Sequence, residues 1–288
     1  MSNLPLLGLP PYASTAERAW RLTFYLFCGL VLLFLISPIL IVIPISFNNS
    51  SFLSFPRGDW SLRWYEEFFM SERWNAAVKN SVIIASGATL LSMLVGSFAA
   101  YSLARLQTGG KHFAFWLLSQ RMMPPVVLIV PFFLLLRELG QINPALGLDS
   151  HIALIALYTV FNLPFVIWMM RAYFEAVPAE IEESAQVDGA TRLHAFWSIS
   201  LPLAVPGLIA TGTFAFIFSW MEFLFAVVFT RTKAVTLPVA IAGFSGGQGS
   251  NWGQASALAV VAMLPVFALA MLVQRHFVRG LTLGAIRG

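Results

Sequence analysis

Six apolar stretches follow one another along this chain, and almost no charged residue interrupts them. An apolar run of about 20 residues is long enough to cross a bilayer as an α-helix. The first run exceeds the apolar core of a cleaved signal peptide, which has about 7–15 residues. We therefore predict an all-α integral membrane protein with six transmembrane helices, at about residues 22–46, 81–104, 113–136, 152–170, 204–230 and 255–273.

The composition excludes several other classes of protein. Only 10% of the residues are charged, whereas a soluble domain carries about 25%. The net charge of +4 comes from basic residues spread between apolar runs, which indicates membrane interfaces rather than a nucleic-acid surface. Cys28 is the single cysteine, so no internal disulfide can form. The histidines and acids show no metal-ligand or nucleophile pattern, and we predict neither a catalytic nor a metal site.

The long loop after the first predicted span is rich in aromatic residues. Its apolar side chains recur at helical spacing, and three tryptophans lie close by: Leu62, Tyr65, Phe68, Phe69, Trp60, Trp64 and Trp74. Belts of Trp and Tyr are typical of membrane interfaces, which favours an amphipathic helix lying along the membrane surface. An aromatic platform that stacks on sugars is the alternative.

A polar stretch, residues 174–203, separates the fourth and fifth predicted spans and contains four glutamates within nine positions. Pro178 suits the first turn of a helix, and glutamates near a helix N-terminus are favoured by its positive partial charge. Gly189 can adopt the left-handed conformation that ends a helix. Thr191 can cap a second short helix, which Pro202 ends. We predict a helix–turn–helix anchored to spans at both ends, with an ordinary solvated loop as the alternative.

The spacing within this stretch is specific. Glu183-Ser184-Ala185 is followed after three residues by Gly189, and after nine more by Ile199-Ser200-Leu201-Pro202. This resembles the EAA motif of ABC importer permeases, E-A-A-x3-G-x9-I-x-L-P, with Ser184 in place of the first alanine. Other segments are similar to the carbohydrate-uptake branch: Asn162-Leu163-Pro164-Phe165 with Trp168, Val187-Asp188-Gly189-Ala190-Thr191, and Arg279-Gly280-Leu281-Thr282-Leu283-Gly284-Ala285. The first loop, with Phe47-Asn48-Asn49-Ser50 and Trp64-Tyr65, is closer to polyamine-type permeases.

The resemblance implies one type I transmembrane domain over residues 1–288. It also implies a second permease, which we expect to be a different chain, two cytoplasmic ATP-binding subunits and an extracytoplasmic solute-binding protein. ATP and magnesium would be bound by the ATPase subunits, with no cofactor in this chain and no enzyme activity of its own. The motif would face the cytoplasm, which places both termini of this multi-pass inner-membrane protein there. The slight excess of basic residues on that side agrees.

The same resemblance assigns the coupling to the ATPase to residues 174–203, with Glu180 to Gly189 as the coupling helix. The expected coupling residues are Glu180, Glu182, Glu183, Ser184, Ala185, Asp188, Gly189, Ile199, Leu201 and Pro202.

Two charged residues lie inside predicted spans, Arg121 in the third and Glu222 in the fifth. A charge there costs at least about 2.5–3.5 kcal/mol on insertion scales, which makes it a candidate for function. With Asn162 and Trp220 they form our candidate set for the substrate pathway. A gate, a contact to another subunit and placement near the lipid headgroups are the alternatives for Glu222. For Arg121, packing against the partner permease or snorkelling toward the cytoplasm is preferred. Their different depths in the two spans give no ground for an ion pair.

We therefore expect the permease subunit of an ATP-driven importer, with a sugar or polyol as the solute. The alternative solutes are a polyamine or another small polar molecule. A secondary transporter usually carries several intramembrane acids and inverted repeats, and only Glu222 is present here. A membrane enzyme is disfavoured because no catalytic set is recognisable.

Overall fold

The computed structural model describes residues 14–56, 58–243 and 251–285, with the backbone alone for Lys111 and residues 275–285. The other parts of the predicted 1–288 domain, and the side chains of the 279–285 motif, lie outside the described residues. Within the described ranges there is no β-strand, and the α-helices are α1 (Thr15–Ser46), α2 (Arg63–Met70), α3 (Glu72–Arg105), α4 (Gly110–Ser119), α5 (Ile129–Ile142), α6 (His151–Ala176), α7 (Ala179–Val187), α8 (Arg192–Ala195), α9 (Leu201–Leu203), α10 (Val205–Trp220), α11 (Leu224–Phe229), α12 (Leu237–Ala242) and α13 (Trp252–Ala285).

The predicted class, an all-α membrane protein, is confirmed. In the described residues, five helical segments are long and apolar enough to cross a membrane: Thr15–Ser46, Glu72–Arg105, Pro125–Ile142, Pro144–Ala176 and Trp252–Gln274. A sixth is obtained when Arg192–Leu203 and Val205–Trp220, which meet at a bend of 77°, are taken as one span.

The third and fifth predicted spans are not continuous helices. In the third, α4 ends at Ser119, and extended backbone at Met123 and Pro124 separates it from the segment that begins at Pro125. Proline disfavours the helical conformation in the residue before it, which explains this break. The fifth predicted span is divided at residues 221–223, between α10 and α11.

The fourth predicted span, unlike the third and fifth, is one continuous helix. A proline often ends or kinks a helix, but α6 runs without interruption from His151 to Ala176 although it contains Pro164. A proline inside a helix removes one backbone hydrogen bond. Helices in membranes tolerate that loss because neighbouring helices and side chains can satisfy the freed group.

Packing divides the chain into two compact units, one formed by Met1–Glu66 with Ser250–Val260 and the other by Glu67–Gly249 with Val261–Gly288. In the second unit, α3 and α6 form the centre of the core. One apolar cluster includes Ile84 and Leu154, and a second includes Val166, Met170 and Phe196, all of which are buried.

Small residues allow α3 and α6 to approach closely, as helices in membranes commonly require. A Cβ atom added at Gly96 would lie 2.6 Å from Cγ1 of Val166, and one at Gly87 would lie 2.8 Å from Cδ1 of Ile155. Both distances are shorter than real Cβ contacts. The terminal Cδ1 of Ile155 can shift, but Val166 also has its Cβ atom 3.1 Å from the added atom, so Gly96 is the position with less room for a larger residue.

Gly96→Leu is therefore expected to destabilise the chain, because overpacking of this kind costs about 1–3 kcal/mol. The measurement is the midpoint of thermal unfolding of the purified protein in detergent, followed by tryptophan fluorescence. Gly29→Leu in α1 is the matched control, since nothing lies within 4 Å of a Cβ atom added at Gly29. Equal midpoints for the two variants would show that this close approach does not contribute to stability.

The tryptophans of the first loop are divided between the interior and the surface. Trp64 is buried, and its indole N–H donates a hydrogen bond of 2.7 Å to the carbonyl oxygen of Asn48. Trp74 is also buried, whereas Trp60 is exposed. A sugar platform that needs all three ring faces is therefore excluded in this chain.

Candidate functional site

The first half of the 174–203 loop is a helix closed by a glycine turn. Helix α7 begins directly after Pro178 and ends at Val187. Gly189 has a φ angle of +94°, and its N–H donates to the carbonyl oxygen of Gln186 at 3.1 Å. Left-handed φ is unfavourable for residues with a Cβ atom. The predicted role of Gly189 in ending the helix is confirmed.

The second half of the loop is capped and then bends into the fifth span. The hydroxyl oxygen of Thr191 accepts a hydrogen bond of 3.2 Å from the N–H of His194 at the start of α8. A π-helical turn, Phe196–Ser200, leads into α9. The helical stretch ends at Leu203, one residue after the predicted end at Pro202, and the chain bends by 77° before Val205.

Most of the expected coupling residues face outward. Six of the ten are exposed: Glu180, Glu183, Ser184, Asp188, Gly189 and Pro202. Three are half-buried, namely Ala185, Ile199 and Leu201, and Glu182 is buried. Large apolar side chains of the same loop are also exposed, including Val187 at 87% and Leu193 at 61%. Exposed apolar side chains grouped in this way mark interaction surfaces.

Glu182 is bonded within the chain. Its Oε1 atom accepts a hydrogen bond from Nε of Arg105 at 2.7 Å, and its Oε2 atom accepts one from the hydroxyl of Tyr101 at 2.8 Å. Nη2 of Arg105 also donates to the carbonyl oxygen of Val177 at 2.7 Å. One arginine at the end of α3 therefore holds both the start of the loop and α7.

Phe196 packs the second half of the loop against the spans. Its ring centroid lies 4.9 Å from those of Phe98 and Tyr101 on α3 and 6.0 Å from that of Phe174 on α6. Phe196 itself is buried. The loop is thus fixed to two spans by packing as well as by hydrogen bonds.

A cavity of about 320 Å³ contains three of the four residues predicted for the substrate pathway. It is lined by Arg121, Met123, Pro125, Tyr158, Phe161, Asn162, Phe218, Ser219, Glu222, Leu224 and Phe225. Ligand pockets usually have volumes of about 300–1,000 Å³ and combine aromatic walls with a few polar groups. This cavity has both properties.

The Arg121 side chain lies across the aromatic wall of the cavity. Its guanidinium carbon is 4.4 Å from the ring centre of Phe218 and 5.3 Å from that of Phe165. Nη1 donates to the carbonyl oxygen of Phe161 at 3.1 Å. Cations are attracted to aromatic faces, which holds the guanidinium at the cavity. No ion pair joins it to Glu222 in the described part of the chain.

Glu222 occupies the break in the fifth span and caps the helix that follows. Its carboxylate oxygens accept hydrogen bonds from the N–H groups of Phe225 at 2.9 Å and Ala226 at 3.2 Å. The first N–H groups of a helix have no partner within it, so this carboxylate replaces the missing acceptors of α11. An acid that the sequence presents as an intramembrane charge is therefore also a helix cap.

Two polar residues of the cavity, Tyr158 and Ser219, were not predicted from the sequence. Asn162 donates to the hydroxyl of Ser219 at 2.8 Å. The hydroxyl of Tyr158 is buried, and Tyr158 lines the same cavity as Glu222. Tyr158 precedes Asn162 by four positions on α6, which places both on one helix face. Ser219 precedes Glu222 by three, a helical spacing within the predicted fifth span, although Glu222 lies just after the end of α10. That periodicity was the available signal.

Trp220, the fourth predicted pathway residue, does not line the cavity. It is buried, and its indole N–H donates to the carbonyl oxygen of Ala262 at 3.0 Å. In this position it ties α10 to α13.

The far end of α11 is held by Asp149, which lies in the turn before α6. Its carboxylate accepts hydrogen bonds of 3.0–3.1 Å from the backbone N–H groups of four consecutive residues, Arg231, Thr232, Lys233 and Ala234, and from the Thr232 hydroxyl. The N–H of Asp149 in turn donates to the carbonyl oxygen of Phe229 at 2.8 Å. We refer to this set of bonds as the Asp149 clasp. Among the described residues, no group of three or more His, Cys, Asp or Glu side chains could hold a metal ion.

Comparison with known proteins gives matches over most of the chain. A family model described as "Binding-protein-dependent transport system inner membrane component" matches residues 92–283. The trehalose/maltose transport system permease protein MalG of Thermococcus litoralis is 36% identical over 216 residues, which cover 74% of this chain and 76% of that protein. The trehalose transport system permease protein SugB of Mycobacterium tuberculosis is 36% identical over 228 residues, which cover 78% of this chain and 80% of that protein.

A solved structure has a similar fold. It is a chain from the crystal structure of a bacterial ABC transporter involved in the import of the acidic polysaccharide alginate. The TM-score is 0.78 over 93% of this chain and 100% of that chain, with 22% sequence identity. At this low sequence identity, the similarity shows a shared fold and no more.

Proposed function

The chain belongs to the family of binding-protein-dependent transport system inner membrane components and is a permease subunit of an ABC importer, and from this premise we propose that it forms half of the translocation pathway for a sugar or polyol. The observation that carries the proposal is the 174–203 loop. It combines the EAA spacing with acidic residues and large apolar side chains that are exposed within the same loop.

This loop is the contact with a cytoplasmic ATPase subunit. Val187, Leu193 and Trp197 are exposed in the chain alone, and their burial against a partner would contribute about 25 cal/mol for each Å² of apolar surface. Glu180 and Glu183 are exposed on the same loop, where they can pair with basic residues of the partner. ATP and magnesium are bound by the ATPase, and both ends of this chain lie in the cytoplasm.

The complete importer contains a second, different permease, two ATPase subunits and an extracytoplasmic solute-binding protein. Closure of the ATPase dimer on ATP moves the attached loop and shifts the permease toward its other state. A partner can shift such an equilibrium only by contacting the two states differently. The loop must therefore remain attached to the ATPase while the spans rearrange.

The cavity supports a sugar as the solute. Phe161, Phe218 and Phe225 supply apolar faces, while Asn162 and Glu222 supply hydrogen-bonding groups. Relatives named for trehalose and maltose agree with this assignment. A polyamine is the second candidate, because the Glu222 carboxylate in the same cavity would attract a polycation while the Arg121 guanidinium would repel it.

The first experiment is purification of the tagged chain from membranes that express the complete importer. A second permease and an ATPase are expected to co-purify, and the reconstituted complex should import trehalose or maltose in the presence of ATP and the binding protein. Purification of an active transporter that lacks an ATPase would contradict the proposal. Uptake of spermidine in place of either sugar would contradict the assigned solute.

Val187→Asp is expected to prevent the ATPase from co-purifying, because it places a charge in the middle of the proposed contact. Met70→Asp is the matched control, since Met70 is 83% exposed and Val187 is 87% exposed. The ratio of ATPase to permease after purification, read from stained gels, is the measurement. Equal ratios for the two variants would show that Val187 is not at the contact.

A further inference from the structure

Glu182 differs from its neighbours in the coupling segment. It is 3% exposed and is the only charged residue that is buried in the described part of the chain. Glu180 and Glu183, by contrast, are exposed on the same helix. A buried charge is unfavourable unless it is paired and hydrogen-bonded. The partners of Glu182 therefore indicate what it does.

Both oxygens of the Glu182 carboxylate are already bonded inside the chain. Arg105 donates to one at 2.7 Å and Tyr101 to the other at 2.8 Å, and Arg105 also reaches the carbonyl oxygen of Val177 at 2.7 Å. These bonds use the carboxylate in the interior of the permease. Glu182 is thus not oriented to contact an ATPase.

Tyr101 and Arg105 lie one turn apart at the C-terminal end of α3. In the sequence, the 174–203 loop is joined to α6 and α10, and α3 ends almost seventy residues before the loop begins. Phe196 already packs the second half of the loop against α3, and the bonds to Glu182 attach the first half, α7, to the same span, which is not the loop's neighbour in the chain. We refer to Tyr101, Arg105 and Glu182 as the α3 tie.

Without the bonds to Glu182, helix α7 would be attached only through the end of α6 and the turn at Gly189, and it could tilt without moving α3. A buried ion pair adds little net stability compared with apolar residues of similar size. Its directional bonds nevertheless allow only one arrangement of the groups that it joins. The α3 tie thus makes the loop and the end of α3 a single mechanical unit.

We propose that Glu182 is a positioning residue that acts through Arg105 and Tyr101 to make α3 move with the coupling loop. This inference rests on the proposed ATPase coupling and deepens it. It gives the glutamates of the segment different tasks, because Glu180 and Glu183 face the partner while Glu182 transmits the movement to α3.

The test compares transport with ATP hydrolysis in reconstituted complexes. Arg105→Gln leaves the Glu182 carboxylate buried without its cation and can prevent folding. The triple variant Tyr101→Phe, Arg105→Met, Glu182→Leu replaces the three side chains by apolar ones, which is often tolerated. We expect it to assemble and to hydrolyse ATP while importing about tenfold less solute per ATP, within the range typical of coupling between sites. The double variant that exchanges the two charges, Arg105→Glu with Glu182→Arg, should restore part of the wild-type ratio of solute imported to ATP hydrolysed.

Arg171→Gln is the matched control, because Arg171 and Glu175 form an ion pair of the same 2.7 Å length within α6. It should leave the ratio of solute to ATP unchanged. A triple variant with the wild-type ratio would overturn the role of the α3 tie and leave the proposed function intact. A wild-type complex that contains no ATPase would instead overturn the proposed function itself.

Discussion

Gly189→Pro is expected to reduce solute uptake about a hundredfold while the complex continues to hydrolyse ATP. Proline requires a φ angle near −65°, whereas Gly189 has +94°. The substitution also removes the N–H that donates to Gln186. A backbone penalty of about 3 kcal/mol corresponds to roughly two powers of ten in an equilibrium. The turn between α7 and α8 must therefore reorganise, and the two halves of the loop lose their fixed relation.

The chain offers a closely matched control in Gly110. This glycine also has a positive φ angle, +66°, and its N–H donates to the carbonyl oxygen of Gln107 at 3.0 Å. It is the first residue of α4, directly after the short loop that follows α3. Gly110→Pro should therefore disturb a similar turn and leave the ratio of solute imported to ATP hydrolysed near the wild-type value. Equal losses of this ratio in both variants would contradict a specific role for the 174–203 loop.

Glu222→Gln is expected to lower uptake about tenfold without preventing assembly. The amide keeps one oxygen that can accept from the N–H of Phe225 or Ala226, so most of the cap on α11 is retained. The charge in the cavity is lost, and hydrogen bonds to charged groups contribute about 1 kcal/mol more than those to neutral groups. Binding of a sugar hydroxyl should therefore weaken, and the concentration for half-maximal uptake should rise.

Glu138→Gln provides the control for this variant, because Glu138 is exposed and pairs with the neighbouring Arg137 at 2.8 Å. The measurement is the initial rate of ATP-dependent sugar uptake into proteoliposomes over a range of sugar-loaded binding protein. Unchanged uptake by Glu222→Gln would restrict Glu222 to its role as a helix cap. Reduced uptake by Glu138→Gln of the same size would indicate a general effect of lost charge.

The positions of the spans could be predicted because long apolar runs have few alternatives in a membrane protein. The breaks within them were harder to predict, since a charge inside an apolar run does not reveal its partners. Glu222 was identified as an intramembrane acid, yet it also caps α11, and that function depends on the backbone opening at residues 221–223. Pro164, by contrast, lies inside a helix that continues past it. The sequence does not show which neighbouring groups compensate for such a proline.

The coupling segment illustrates the same limit within one helix. Its spacing predicted the turn at Gly189 and the cap at Thr191, because both depend on local backbone geometry. The difference between Glu182 and Glu183 depends on where α3 ends, since only there can Arg105 and Tyr101 reach the carboxylate. No local pattern contains that information. In the cavity, by contrast, helical spacing from Asn162 and Glu222 leads directly to Tyr158 and Ser219.

The Asp149 clasp has a consequence for how the chain enters the membrane during synthesis. It joins the turn before α6 to the residues after α11, which are more than eighty positions later. These two segments reach the same side of the bilayer only after the fourth and fifth spans have both been inserted. Until then the Asp149 carboxylate lacks its backbone donors. Closure of the clasp is therefore a late step of biogenesis and marks chains whose fifth span has crossed the membrane.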